Sequence, residues 1–228
     1  MKEGILDVFF DLDHTLWDFE KNSALAFSMI FDKHKLPVDK ALFLEHYVPI
    51  NLKYWEWFRV EQISREELRY GRLREAFDRV KFPIDEALIH LLADEYIHYL
   101  PHHNHLFEGA IDLLDYLKPK YNLHIITNGF SEVQGHKITN SNIGHYFQTI
   151  TDSEMAGVKK PNPQIFAYAL RSANANKETS IMIGDCIEAD VRGALNYGLD
   201  AILFNANTIE NDKNIKQITH LSQLKKIL

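Results

Sequence analysis

Phe9-Phe10-Asp11-Leu12-Asp13-His14-Thr15-Leu16 is the stretch whose reading decides the fold. Ile5-Leu6-Asp7-Val8-Phe9-Phe10 runs into it as a short apolar, β-favouring segment that fits a buried strand. The strand stops at Asp11, and two carboxylates, Asp11 and Asp13, then occupy its carboxyl end. In an open α/β sheet that end is where ligands bind. Like charges this close resist joint ionisation, so the pair shares a proton, separates, or holds a cation. An acidic turn after a strand is the plain alternative, and the rest of the chain weighs against it.

Working outward, Trp17-Asp18-Phe19-Glu20 leads to a helical pattern from about Ser23 to Lys35, which Pro37 breaks. A second helical region spans about Asp39 to Val60, with an interruption expected near Pro49. Ser64-Arg65-Glu66-Glu67 reads as a capping box that starts a helix through about Val80. Another helix follows Pro83, from about Asp85 to Tyr99. Everything from Trp17 to about Leu100 therefore reads helical.

After Pro101 the pattern changes. Helices at about Gly109 to Lys118, Ser131 to Asn140, Asn162 to Ser172 and Glu188 to Tyr197 alternate with strands. The strands are Leu123 to Thr127, about Gln148 to Asp152, Ser180 to Gly184, and Asp200 to Phe204. Alternation of this kind indicates βαβ units and a parallel sheet. The expected architecture is an α/β Rossmann-like core of residues 1–16 and 101–228, with a helical domain, 17–100, inserted after the first strand. The polar region Asn205 to Asn214 reads as a loop.

Bulk properties narrow the function. Of 228 residues, 46% are hydrophobic and 25% charged, ordinary for a globular protein able to bury a core. The net charge of −7 and the lack of a basic stripe argue against binding a nucleic-acid polymer. Cys186 is the single cysteine, so no intrachain disulfide forms and a reducing compartment is expected. No signal peptide and no apolar run of bilayer length is visible, so a cytoplasmic enzyme with no membrane partner is the expectation.

Three further strand ends carry chemistry. Thr127-Asn128-Gly129 offers a hydroxyl, an amide and a flexible backbone suited to phosphate oxygens. Lys159-Lys160-Pro161-Asn162-Pro163 places lysines before a helix N-terminus, where the dipole disfavours them unless an anion is near. Gly184-Asp185-Cys186-Ile187-Glu188-Ala189-Asp190 sets Asp185 at a strand end, after a glycine that permits close backbone approach, with Asp190 in the following helix. The histidines His98, His102, His103 and His105 read as a solvated loop, and Cys186 as a small packing residue.

In this order the four segments resemble the haloacid dehalogenase-like (HAD) hydrolase superfamily. Asp11, Asp13 and Thr15 match its Asp-x-Asp-x-Thr motif, Thr127 its strand-end Ser/Thr, Lys160 its lysine, and Gly184, Asp185 and Asp190 its last motif. An insertion directly after the first motif resembles the family's type-1 helical cap. The resemblance implies that Asp11 is a nucleophile forming an aspartyl phosphate and that Asp13 is the general acid and base. It implies Mg²⁺ as the cofactor, held by the carboxylates of Asp11 and Asp185 and the backbone carbonyl of Asp13. Thr127, Asn128 and Lys160 would bind phosphate, with Asp190 and Thr15 in support. Asp13 favours phosphoryl transfer over dehalogenation, because a dehalogenase has no alkoxide to protonate.

Phe19, the pattern Asn51-Leu52-x-x-Trp55-x-x-Phe58 and Thr127-Asn128-Gly129-Phe130 resemble the house-cleaning pyrimidine 5′-nucleotidase branch. The expected substrate is a small phosphorylated metabolite, first a nucleoside 5′-monophosphate, with Phe19, Asn51, Trp55 and Phe58 setting specificity. Phosphoglycolate or a sugar phosphate is the alternative within the enzyme class. A phosphoaspartate signalling receiver is the alternative outside it. A receiver needs neither a leaving-group acid nor a long insertion. The sequence leaves the oligomeric state open.

Overall fold

The computed structural model describes residues 4–205 and 214–228. Most of the expected loop Asn205 to Asn214 therefore lies outside the described residues, as do Met1, Lys2 and Glu3. The chain divides into two compact units, Met1–Phe19 with Asn104–Leu228, and Glu20–His103. Among the described residues no helix is long and apolar enough to cross a membrane.

The first unit is built on a parallel sheet of six strands in the order β3-β2-β1-β4-β5-β6. They are β1 (Asp7–Phe10), β2 (Asn122–Thr127), β3 (Thr149–Asp152), β4 (Ser180–Gly184), β5 (Asp200–Phe204) and β6 (Gln217–Ile218). Every residue of β1 and β4 is buried, the pattern of strands covered on both faces. Helices α5 (Ala110–Leu117), α6 (Ser131–Asn140), α7 (Ser153–Ala156), α8 (Pro163–Ala173) and α9 (Gly193–Tyr197) complete the unit. Phe9, Ile126, Phe166, Met182 and Leu203 belong to one buried cluster.

Chain order reverses around β1. The chain leaves β1 for β2 and β3 on one side, then crosses to β4 and β5 on the other. That is the switch point where open α/β sheets bind ligands. Phe10 pairs with both Ile125 and Ile183, so the residues just beyond all three strands emerge at one end of the sheet. The Asp11 N–H extends the ladder by donating to Ile183 O at 2.9 Å.

Lower in the same sheet lies a buried polar cluster that no sequence pattern announces. His124, fully buried, has Nδ1 2.9 Å from Thr149 Oγ1 and Nε2 3.3 Å from Asp7 Oδ1. An acceptor carboxylate at Nε2 places the imidazole proton there, leaving Nδ1 to accept from the Thr149 hydroxyl. Burial lowers the His124 pKa, against a smaller opposing pull from Asp7. The unfolded chain then binds a proton more readily than the native one, so stability is complete above about pH 6.5 and declines as pH falls below it. The urea midpoint of the wild type should drop between pH 7 and 5.5 by more than that of His124→Gln. The difference should amount to at most about 1.4 kcal/mol per pH unit for one proton. Parallel pH slopes would rule out this linkage.

The second unit carries four helices, α1 (Phe19–Lys33, whose first residue belongs to the first unit), α2 (Lys40–Arg59), α3 (Arg65–Arg79) and α4 (Glu86–Tyr99). Phe27, Phe31, Phe43, Tyr47, Phe77 and Tyr96 are all buried among one another, with Phe27 and Tyr96 stacked at 4.4 Å. The Ser64–Glu67 capping box is present in full, and the Asp39 and Asp85 side chains cap α2 and α4.

Several element expectations need correction. Helix α1 begins at Phe19, four residues before the expected start at Ser23. Helix α2 runs unbroken through Pro49. Pro49 is exposed, so the carbonyl it leaves without a donor can meet water, while Phe43, Tyr47 and Ile50 keep the buried face packed. The expected helix from Glu188 starts instead as a π-helical turn, Ile187–Arg192, before α9. Strand β6 and helix α7 had no sequence expectation. Two residues and four residues are too short for a periodicity to register.

Candidate active site

Three motif residues of the first unit sit where strands end. Asp11 follows β1, Thr127 closes β2 and Asp185 follows β4. Lys160 precedes α8, whose N-cap is Asn162. Asp11, Thr127, Lys160 and Asp190 are each no more than 7% exposed.

Lys160 is the hub. Its Nζ donates to Asp11 Oδ1 at 2.6 Å and to Ile126 O at 2.7 Å, and lies 2.6 Å from Asp190 Oδ1. Two acceptors thus take ammonium protons, while Asp190 Oδ1 pairs with the charge without a hydrogen bond. Burial opposes the charge, yet Asp11 and Asp190 outweigh it and raise the Lys160 pKa above its ordinary value. The Asn128 side chain fixes the Lys160 backbone from both sides. Its Nδ2 donates to Lys160 O at 3.0 Å, and its Oδ1 accepts from Lys160 N at 2.7 Å. The polar atoms of this amide are therefore engaged with the lysine, and its own backbone N–H is what remains at that tip for an anion.

Asp190 is held at its second oxygen by the Cys186 N–H, 3.0 Å away. The π-helical turn places it against Gly184. A Cβ there would lie 2.3 Å from the Asp190 carboxyl, so only glycine fits. The Thr15 hydroxyl approaches Asp185 Oδ1 at 3.4 Å.

Carboxylate oxygens of Asp11, Asp185 and Asp190 lie within 4.8 Å of one another. Burial pushes the Asp11 carboxyl well above the usual carboxylate range, against the pull of Lys160, and Asp190 and Asp185 push the same way. Burial, then the neighbouring Asp190, pushes Asp185 up to about 8. With only Lys160 among them, the three ionised carboxylates would carry a double negative surplus. Hard oxygens with that surplus fit a small divalent cation, which would hold them ionised. Among the described residues no histidine or cysteine joins such a cluster.

Asp13 has separate partners, which the sequence reading did not single out. Lys137 Nζ donates to Asp13 Oδ1 at 2.6 Å, and Gln134 Nε2 donates to Asp13 Oδ2 at 3.0 Å. Gln134 Nε2 also donates to Thr127 Oγ1 at 2.6 Å, and Gly129 N–H to the same oxygen at 3.1 Å. With both lone pairs of the Thr127 hydroxyl engaged, its single O–H is left to donate, the arrangement an anionic oxygen needs. The available signal was spacing, since Gln134 and Lys137 stand three apart on a helix opening directly after Phe130.

The remaining expected residues fall in both units. Phe19 is buried in the first unit, with its ring 6.1 Å from Trp17. Asn51, Trp55 and Phe58 lie on α2 of the second unit. Asn51 is buried, its Oδ1 accepting from Arg72 Nη1 at 2.7 Å and from the Tyr47 hydroxyl at 3.4 Å. Trp55 and Phe58 pack edge to face at 5.6 Å.

The chain has relatives among known proteins. The chain is 33% identical over 207 residues to the pyrimidine 5′-nucleotidase PynA of Streptococcus pneumoniae, covering 89% of this chain and 84% of that one. It is 31% identical to the pyrimidine 5′-nucleotidase YjjG of Escherichia coli, over 95% and 93% of the two chains. The magnesium-bound structure of YfnB from Bacillus subtilis superposes with a TM-score of 0.88 at 28% identity over 99% of both chains. The family described as haloacid dehalogenase-like hydrolase matches residues 8–198, and the chain belongs to that family.

Proposed function

We propose that the protein is a Mg²⁺-dependent phosphatase acting through an aspartyl phosphate, with a pyrimidine nucleoside 5′-monophosphate as its substrate. One observation carries the phosphatase reading. Asp11 and Asp13 stand two residues apart, yet each is held by its own lysine, Lys160 and Lys137. Two carboxylates in separate environments can take separate roles. That separation suits a nucleophile paired with a leaving-group acid, which neither a dehalogenase nor a phosphoaspartate receiver requires.

In the first step a carboxylate oxygen of Asp11 attacks phosphorus and the ester P–O bond breaks. The departing alkoxide takes its proton from Asp13. In the second step Asp13 removes a proton from water, the water oxygen attacks phosphorus, and the acyl phosphate bond to Asp11 breaks. Lys160, the Thr127 hydroxyl and the backbone beyond it hold the phosphoryl oxygens. Asp11, Asp185 and the backbone carbonyl of Asp13 would hold Mg²⁺, which supplies charge neutralisation between carboxylate and phosphate. Asp190 acts through Lys160.

Residues 17–100 serve as a helical cap in this reading, and the enzyme works in the cytoplasm. Phe19, Asn51, Trp55 and Phe58 set base specificity. The nucleotidases PynA and YjjG support the choice of substrate.

The test is a panel of nucleotides, phosphoglycolate and hexose phosphates with Mg²⁺, beside p-nitrophenyl phosphate. A pyrimidine 5′-monophosphate should have the highest kcat/KM. Trp55→Ala should lower nucleotide kcat/KM by roughly 5- to 150-fold, the scale of one base–aromatic stack, and barely change p-nitrophenyl phosphate turnover. Equal losses on both would reduce Trp55 to a packing residue. A hexose phosphate or phosphoglycolate ahead of every nucleotide would reject the nucleotidase reading and leave the phosphatase chemistry standing.

A further inference from the structure

We propose that Gln134 and Lys137 are positioning residues for Asp13, a two-point clamp on α6 that keeps its carboxylate in the orientation needed at the leaving-group oxygen. The inference rests on the phosphatase reading, in which Asp13 is the acid and base.

Lys137 is only 2% exposed and Gln134 1%. A lysine so deeply buried is rare and requires a partner for its charge. Its ammonium meets Asp13 at 2.6 Å and lies 4.4 Å from the centre of the Trp17 ring and 5.2 Å from that of Phe19. The aromatic faces favour a cation in a place where water does not reach it. Lys137 and Gln134 stand three apart on α6, so one helical face delivers both donors. Each takes a different oxygen of Asp13. Two donors on two oxygens fix the plane of the carboxylate as well as its place, which one ion pair does not do. Gln134 also ties this plane to Thr127, so the acid/base and the proposed phosphate-binding hydroxyl are held in one frame. A misplacement of about 1 Å in such a frame can cost on the order of 10²-fold in rate.

The clamp matters only where the leaving group needs a proton. A ribose 5′-oxygen leaves as a strongly basic alkoxide, whereas p-nitrophenolate leaves without such help. With saturating Mg²⁺, Lys137→Met and Gln134→Ala should each lower kcat on a nucleoside 5′-monophosphate by about 10- to 100-fold, within the range of general acid–base catalysis. KM should stay within about twofold, and the loss on p-nitrophenyl phosphate should be at least about tenfold smaller. In an Asp13→Asn background, Lys137→Met should change kcat less than about twofold, because no carboxylate is left to position.

Equal losses on both esters, or equal losses with and without the Asp13 carboxylate, would overturn the inference. If Lys137→Met fails to fold, Gln134→Ala, which leaves no new unpaired charge on α6, decides by the same comparison of esters. Absence of turnover of either ester by the unaltered enzyme would instead overturn the phosphatase reading, and the clamp with it.

Discussion

Asp11→Asn is expected to lower turnover by about 10⁴-fold or more, the scale on which loss of a covalent nucleophile acts, while the protein stays folded. The amide keeps an oxygen able to accept from Lys160 Nζ, so the contact at 2.6 Å can survive. What it loses is the anionic oxygen that attacks phosphorus. The substitution also removes one of three carboxylates, two of them buried and Asp185 half-buried, whose oxygens lie within 4.8 Å of one another. Burial and the neighbouring Asp190 and Asp185 already disfavour the Asp11 charge. Without Mg²⁺ the variant should therefore melt no lower than the wild type, and its stabilisation by Mg²⁺ should be weaker. The sample must be checked by mass, since deamidation would restore the nucleophile. Near-normal kcat in a mass-verified sample would remove the covalent mechanism. A lost activity accompanied by a collapsed melting temperature would make Asp11 a structural residue.

The carboxylates at strand ends were legible because strands are local. Ile5 to Phe10, Leu123 to Thr127 and Ser180 to Gly184 are short, mostly apolar runs, interrupted by Asp7 and His124, and in a parallel sheet all their carboxyl ends point one way. Placing Asp11, Thr127 and Asp185 at those ends needs no knowledge of pairing. The bond from Lys160 to Asp11 joins residues 149 apart, and nothing in the spacing of either segment contains it. Only the resemblance to known hydrolases brought Lys160 to the site.

The Asp13 partners show the opposite case. Gln134 and Lys137 sit inside a helix whose pattern was read correctly, and they look like ordinary polar helix residues. Their burial follows from which face of α6 turns inward, and that is set by Val133 and Ile138 beside them. A lysine flanked by a buried isoleucine is a weak signal that could have drawn attention. The continuity of α2 through Pro49 escaped for a related reason. The roughly 3 kcal/mol against an interior proline is a local cost, and packing of Phe43, Tyr47 and Ile50 is a tertiary gain that the local sequence does not display.

Lys160→Met should destabilise the protein by about 3–5 kcal/mol, the usual cost of leaving a buried charge without its partner. The new side chain is nearly the same length, so a cavity contributes little. The cost comes from Asp11 and Asp190, which each lose an ammonium at 2.6 Å, and from the Ile126 carbonyl, which loses its donor at 2.7 Å. Three observations separate this account from general damage to the fold. The loss should be largest at high pH and shrink as pH falls, because protonation of the carboxylates removes the uncompensated charge, and burial has already raised Asp11 and Asp185. Mg²⁺ should recover more stability in the variant than in the wild type, since a cation bound by the native state takes over neutralisation of the same carboxylates. Asp190→Asn added to Lys160→Met should cost less than the sum of the two single changes, by about 0.5–3 kcal/mol, because the pair is in direct contact. Activity should fall whatever the Mg²⁺ concentration, because the lysine is also the cation proposed to meet the transferring phosphoryl group. Urea denaturation at pH 6 and 8.5, with and without Mg²⁺, measures all of the stability terms. A loss independent of pH, Mg²⁺ and Asp190 would mean that Lys160 contributes packing alone, and the charge balance assigned to this site would be wrong.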